Sequence, residues 1–301
     1  MLHKELNLLI LIALPFLSMA CSSSSNDSKG PTDPIETPKI PISLNCGIAS
    51  RVTDSGFESN DKIGLFVVNY TNGNSSGMQL TGNYADNAGF TYNGSWTPDK
   101  QLYWKDETTK ADFYAYYPYG TISSLTAQQI SVNENQSIET NYKASEFLWG
   151  KVAGVTPTEQ AVNLTLNHVF CCAVIKLTAG NGFTAESLAS STITVKLNNF
   201  KTNATIDLTN GSVTATGDAK TITPCRTADG YKALIVPQTV TGGNLITINV
   251  DGRDYNLTKD FTFTSGKRDT FTIIISKTNT GLNVNIGSWN EDGKDYGGTA
   301  E

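Results

Sequence analysis

Few side chains in this 301-residue chain could carry chemistry: two histidines, His3 and His168, five cysteines and 28 acidic residues. His3 lies in a segment that reads as a targeting signal, which leaves His168 as the only imidazole for a triad, a zinc site or a proton relay. It reads as a satisfied structural histidine. Cys46, Cys171, Cys172 and Cys225 have no CxxC spacing and no second histidine beside them, so no metal site is expected. Cys171 and Cys172 are adjacent, where a direct bond is strained, and the chain is long enough to fold without a disulfide framework; one structural disulfide stays open. Asp61, Asp106, Glu107, Asp112 and Glu146 are carboxylates of the kind glycosidases use in pairs across a cleft, but here they read as loop and edge-strand charges. GxSxG, GxGxxG, Walker and HExxH patterns are absent. The expectation is a protein that is not an enzyme and takes no cofactor.

The remaining composition says what must position these groups. Apolar residues make up 39% and charged residues 17%, well below the roughly 25% charge of ordinary soluble domains. That balance supports folded cores and argues against a disordered polyelectrolyte or a coiled coil. The net charge of -6 and the lack of a Lys/Arg-rich run make nucleic acid and anionic headgroups poor partners.

Met1 to Ala20 has Lys4, the apolar run LNLLILIALPFL and then LSMA before Cys21, the pattern of a secretory signal. The run is shorter than the roughly 20 residues of a comfortable bilayer span. The LSMAC ending resembles the lipobox of bacterial lipoproteins, which implies acylation of Cys21 and attachment to a bilayer through it. Residues 21–40, rich in Ser, Pro and Asp, read as a flexible tether.

From Pro41 onward the apolar residues alternate with polar ones in short runs separated by Gly, Asn, Asp and Ser, an all-β signature. Ile193, Val195 and Leu197 form one such row; Ala204, Ile206 and Leu208, Ile246, Ile248 and Val250, and Phe271, Ile273 and Ile275 form others. One wet and one dry face per strand predicts antiparallel β-sandwiches. The length favours two of them. Across VNLTLNHVFCCAVIKL the row Val162, Leu164 and Leu166 changes phase to Val169, Cys171, Ala173, Ile175 and Leu177, so the expected domains are 41–163 and 164–301.

Several strings, in order, carry a family resemblance. FESNDKIGLFVV (57–68) and QLYWKDETTKADFYAYYPYG (101–120), then LNHVFCCAVIKL (166–177), ALIVPQTV (233–240), FTSGKRDTFTI (263–273) and GSWNEDG (287–293), are similar to the fimbrillin family of pilus subunits. The chain departs from that pattern at Asn60, where an acidic residue or Gly is common, and in its cysteines. The resemblance implies two tandem transthyretin-like sandwiches of Greek-key type and export as an outer-membrane lipoprotein. It also implies assembly into a cell-surface fimbrium by strand exchange, after an arginine-specific protease removes the first strand.

The first strand is legible on its own terms. Ile42, Leu44, Cys46 and Ile48 occupy one face of ISLNCGIASRV and Ser43, Asn45, Gly47 and Ala49 the other, with Arg51 just beyond as the expected cut. A vacated groove exposes apolar sockets and unpaired backbone that a partner strand can fill; a disulfide from Cys46 to Cys171, Cys172 or Cys225 would keep the cut strand attached, so strand exchange requires Cys46 to be a buried free thiol. Leu282, Val284 and Ile286 make the C-terminal strand a candidate donor, with a permanent strand of the second sandwich as the other reading. The rival function is a surface glycan-binding or tip adhesin lipoprotein. In it Trp96, Tyr103, Trp104, Tyr114, Tyr116 and Tyr117 would stack sugar rings, although the same aromatics suit strand interiors. The expected partners are therefore other subunits, the bilayer, the protease and a surface glycan or protein receptor.

Overall fold

The computed structural model describes residues 39–49 and 56–277, together with the backbone of a strand at 283–288. The run KIGLFVVNYT sets the architecture of the first half. It forms β2 (Lys62–Thr71), whose Ile63, Leu65 and Val67 enter one apolar core while Phe66 and Val68 enter another. A strand covered on both faces reads as a continuous apolar run, where a half-wet one alternates. Asn72 and Gly73, both at positive φ (51° and 79°), turn β2 tightly into β3 (Asn74–Ser75), the backbone that a two-residue hairpin favours.

Around β2 one sheet runs in the order β1-β9-β8-β6-β2-β4-β5. Its strands are β1 (Leu44–Ile48), β4 (Ala85–Tyr92), β5 (Trp96–Pro98), β6 (Ala111–Tyr117), β8 (Leu148–Val155) and β9 (Val162–His168). The sheet rolls over so that its two ends meet: the Trp96 indole on β5 donates to the Cys46 carbonyl on β1 at 2.8 Å. Inside the roll lie Ile63, Leu65, Phe90, Phe113, Leu148 and Leu166. Each such side chain contributes about 1.5–3 kcal/mol on full burial.

The second half is a sandwich of two five-stranded sheets. One has the order β13-β14-β10-β19-β20, from β10 (Cys171–Ala179), β13 (Cys225–Thr227), β14 (Gly230–Ile235), β19 (Arg268–Ile275) and β20 (Asn283–Ser288). The other has the order β12-β11-β16-β17, from β11 (Ile193–Asp207), β12 (Ser212–Ile222), β16 (Asn244–Val250) and β17 (Arg253–Thr258), and it takes β7 (Gln128–Ser131) beside β11. Ile175, Phe271 and Ile273 from the first meet Phe200, Ile206 and Ile246 from the second in one core. A ribbon of β15 (Gln238–Val240) and β18 (Phe261–Phe263) adds Phe263 to it. The helices among the described residues are short: α1 (Glu139–Lys143), and α2 (Ala185–Ser190) with a capping box between Thr184 and Ser187.

Among the described residues most ladders are antiparallel, as expected, but two are parallel. β1 pairs with β9 and β10 with β19, so in each half the first strand lies beside a strand from that half's end. A parallel pair needs a long crossover, and here the rest of each half supplies it. The rows predicted at 193–197 and 204–208 belong largely to one strand. β11 slips register between Leu197 and Phe200, around Asn199 at φ 66°, and this bulge returns the apolar row to the same face.

The change of core falls between Leu166, in the first cluster, and Val169, in the second, a few residues after the expected division at 163/164. Residues 121–147 cross from the first half onto the second. β7 pairs with β11, and the buried Gln136 donates to the Leu234 carbonyl and accepts from the Leu234 amide, both at 2.8 Å. The Trp149 indole donates to the Leu208 carbonyl, and a Cβ at Gly211 would lie 2.4 Å from the Trp149 ring, so only glycine fits beneath it.

Candidate functional site

Residues 39–49 are a segment that contains β1 and has partial support on both sides. At its start the Ile42 amide donates to the Leu102 carbonyl (2.9 Å) and the Trp104 amide to the Ile40 carbonyl (2.8 Å). Farther along, β1 lies parallel to β9 with Leu44 beside Val162, Cys46 beside Leu164 and Ile48 beside Leu166. On the edge away from β9, β1 pairs with no other strand among the described residues.

The side chains follow the pleat. Ile42, Leu44 and Cys46 are buried at 1, 7 and 6% exposure, Ile48 is half-buried, and Ser43, Asn45 and Gly47 face outward. Asn45 donates from Nδ2 to Asn163 Oδ1 at 2.7 Å, an exposed tie between β1 and β9. Cys46 is a buried thiol outside any disulfide, and burial pushes its pKa up to about 12, so it stays protonated at neutral pH. Cys171 and Cys225 are likewise buried and unbridged, while Cys172 lies 3.8 Å from the Tyr142 hydroxyl.

Other sequence-identified positions lie elsewhere. Cys21, Arg51 and Leu282 fall outside the described residues. Val284 and Ile286 belong to β20, the edge strand beside β19, opposite Ile273 and Phe271. Asn60 stands at φ 75°, a backbone that Gly or Asn adopts readily.

The six aromatics do not form an open platform. Trp96, Trp104, Tyr114 and Tyr116 are buried, Tyr117 is half-buried, and Tyr103 alone of the six is exposed. The reason is the double burial of β6, which sends Phe113 and Ala115 into the first core and Tyr114 and Tyr116 into the second. Tyr116 stacks on Phe147 with ring centroids 5.9 Å apart, Trp104 meets Phe113 edge-on, and Tyr117 donates to Asp61 at 3.0 Å.

The carboxylates are committed locally. Asp106 accepts from the amides and hydroxyls of Thr108 and Thr109, which hold its pKa well below the usual range. The buried Asp112 accepts from the Ser75 hydroxyl and the Gly154 amide, each at 2.8 Å. Glu146 pairs with His168 Nδ1 at 2.9 Å, and Glu107 is exposed. The role of Trp96 in closing the roll over Cys46 is invisible in sequence, since alternation reports which face a residue occupies and not which distant strand it meets.

These features define an all-β protein of rolled sheet and sandwich, with an apolar first strand at a sheet edge. A family model described as fimbrillin-like matches residues 50–289, and the chain belongs to that family. A curated relative from Bacteroides uniformis, "Putative fimbrium subunit Fim1C", is 27% identical over 95% of both chains. Two solved structures share the fold. A "putative cell adhesion protein" from Bacteroides uniformis has a TM-score of 0.64 and 22% identity, covering 83% of this chain and 97% of its own. Another so described, from Bacteroides ovatus, has a TM-score of 0.61 and 17% identity, covering 85% and 99%.

Proposed function

We propose that the protein is a structural subunit of a cell-surface fimbrium, exported as a lipoprotein through Cys21 and joined to other subunits by donor-strand exchange. In this reading an arginine-specific protease cuts after Arg51, the first strand leaves, and the groove it vacates takes a strand from another subunit. Before the cut the two sandwich domains span 41–163 and 164–301, and the cut shortens the first to 52–163. The observation that carries the reading is the placement of β1, an edge strand with Leu44 and Cys46 buried, Ile42 buried just before it, and β9 as its strand partner among the described residues. An edge with apolar sockets favours β-augmentation once emptied, because the incoming strand supplies both the ladder and the anchors. Membership of the fimbrillin-like family supports the same reading.

The test is to sequence the N-terminus of this subunit in fimbriae isolated from producing cells, beside cells carrying Arg51→Ala or Cys21→Ser. The reading expects mature subunits that begin at Val52, with the Arg51→Ala chain retained uncut and the Cys21→Ser chain lost from the surface. Fimbriae whose subunits still carry residues 42–48 would overturn it.

A further inference from the structure

The loop between β3 and β4, residues 76–84, builds one side of a cleft that takes no residue from the first strand. Met78 anchors the loop in the second core. Asn83 binds both backbone groups of Gln79, and Asp86 accepts from the amides of Gly82 (2.8 Å) and Asn83 (3.0 Å) and from the Asn83 side chain (2.6 Å). A loop tied at three points has little freedom left to lose when a ligand binds. Between Met78 and these ties it holds Leu80 outward at 41% exposure.

Residues 119–122 supply the other side. Tyr119 is exposed, and Lys62, itself paired with Asp99 at 2.7 Å, braces the ring with Nζ 4.5 Å from its centroid. With Phe66 and Ile122 these side chains line a cavity of about 430 Å³, within the range of small-ligand sites.

Two polar side chains enter the cleft from β4. The register of β2 on β4 slips between Leu65 and Val67, and Asn87 stands in that bulge at φ 47°. Neighbours on a regular strand point to opposite faces, but the bulge brings both Asp86 and Asn87 to the cleft. The Asp86 carboxylate has about four acceptor sites, of which the loop uses three. Asn87 gives one N–H to the Gly120 carbonyl at 2.9 Å, which leaves its second N–H without a partner among the described residues. An acceptor and a donor therefore lie side by side, next to an aromatic ring and an aliphatic wall. Adjacent hydroxyls of a sugar ring supply the matching donor and acceptor, and its C–H face suits the ring. No cationic side chain lines the cleft, so an acidic ligand would meet Asp86 uncompensated.

We propose that this cleft binds a neutral pyranose sugar, stacked on Tyr119 with neighbouring hydroxyls on Asp86 and Asn87. The site is independent of strand exchange, because none of its residues belongs to β1 or β9.

The test mixes the purified full chain with methyl glycosides of glucose, galactose, mannose, fucose and N-acetylglucosamine at millimolar concentration, beside N-acetylneuraminic acid and Nα-acetyl-lysine amide. NMR reads saturation transfer from protein to ligand. Tyr119→Ala removes the ring. Gly120 lines the cleft and a Cβ there meets nothing within 4 Å, so Gly120→Leu obstructs the site without straining the fold, which thermal unfolding of both variants checks. The expected result is transfer to at least one neutral glycoside, reduced about fivefold or more by each variant. Absence of transfer to every neutral glycoside, or transfer that survives in either variant, overturns the site. Stronger transfer to the acid or to the lysine amide than to every neutral glycoside overturns the ligand class.

Discussion

The Trp96 indole and the Cys46 carbonyl, fifty residues apart in sequence, are joined by a buried hydrogen bond of 2.8 Å that ties the two ends of the first sheet together. On the side away from β9, this bond ties β1 to β5. Trp96→Phe keeps a ring in the core and removes the donor. It should lower the free energy of opening of the first strand by about 1 kcal/mol, so Cys46 becomes alkylated roughly fivefold faster under native conditions. An unchanged rate would show that the bond does not hold the strand.

Cys46 also reports the departure of the strand by its own titration. In the folded chain its pKa is pushed up to about 12, whereas a solvated cysteine titrates near 8.5. An acid whose folded pKa is raised contributes fully below the unfolded value and loses that contribution as pH rises toward the folded one. Native stability should therefore fall from about pH 8.5 upward, and Cys46→Ala should remove that part of the slope. Equilibrium unfolding at pH 7.5, 9 and 10 checks this.

Asp269 stands in the buried row that continues with Phe271, Ile273 and Ile275, and its Oδ2 has no hydrogen-bond partner among the described residues. Burial raises its pKa to about 6, against some opposition from Lys267. By the same sign rule the domain is most stable below about pH 4 as far as this group is concerned and loses that stability between about pH 4 and 6. Asp269→Asn should raise Tm at pH 7.5 and leave it nearly unchanged at pH 4, which thermal unfolding at the two values measures.

Gln136 ties the crossing segment to β14 through both polar groups of Leu234. Gln136→Ala leaves a buried amide and carbonyl of Leu234 without that partner, at a cost of about 1–3 kcal/mol. Urea unfolding should show a lower midpoint, and exchange protection should drop at β7 as well as at Leu234, because one segment carries both contacts.

Much of this fold was legible in the sequence because alternation is local. Val195 and Leu197, Ile246 and Ile248, Phe271 and Ile273 are all buried, in strands where the period-two rows placed them. What was not legible depends on distant neighbours. Leu44 and Val162 pair in parallel across more than a hundred residues, and no local pattern records direction or partner. Tyr114 and Tyr116 belong to a strand buried on both faces, so chemical type alone left sugar stacking and core packing open. The bulge at Asn199 broke one strand into two apparent rows, and residues 121–147, with little periodicity, gave no sign that they complete the second half.

The central claim is that the first strand can leave and another can replace it, and limited digestion of the purified chain by an arginine-specific protease, followed by size exclusion and N-terminal sequencing, tests it most directly. The account predicts a cut after Arg51, loss of the peptide carrying Ile42, Leu44 and Cys46, and growth of oligomers whose subunits begin at Val52. A chain cut at that position that keeps its first strand and stays monomeric at high concentration would contradict it.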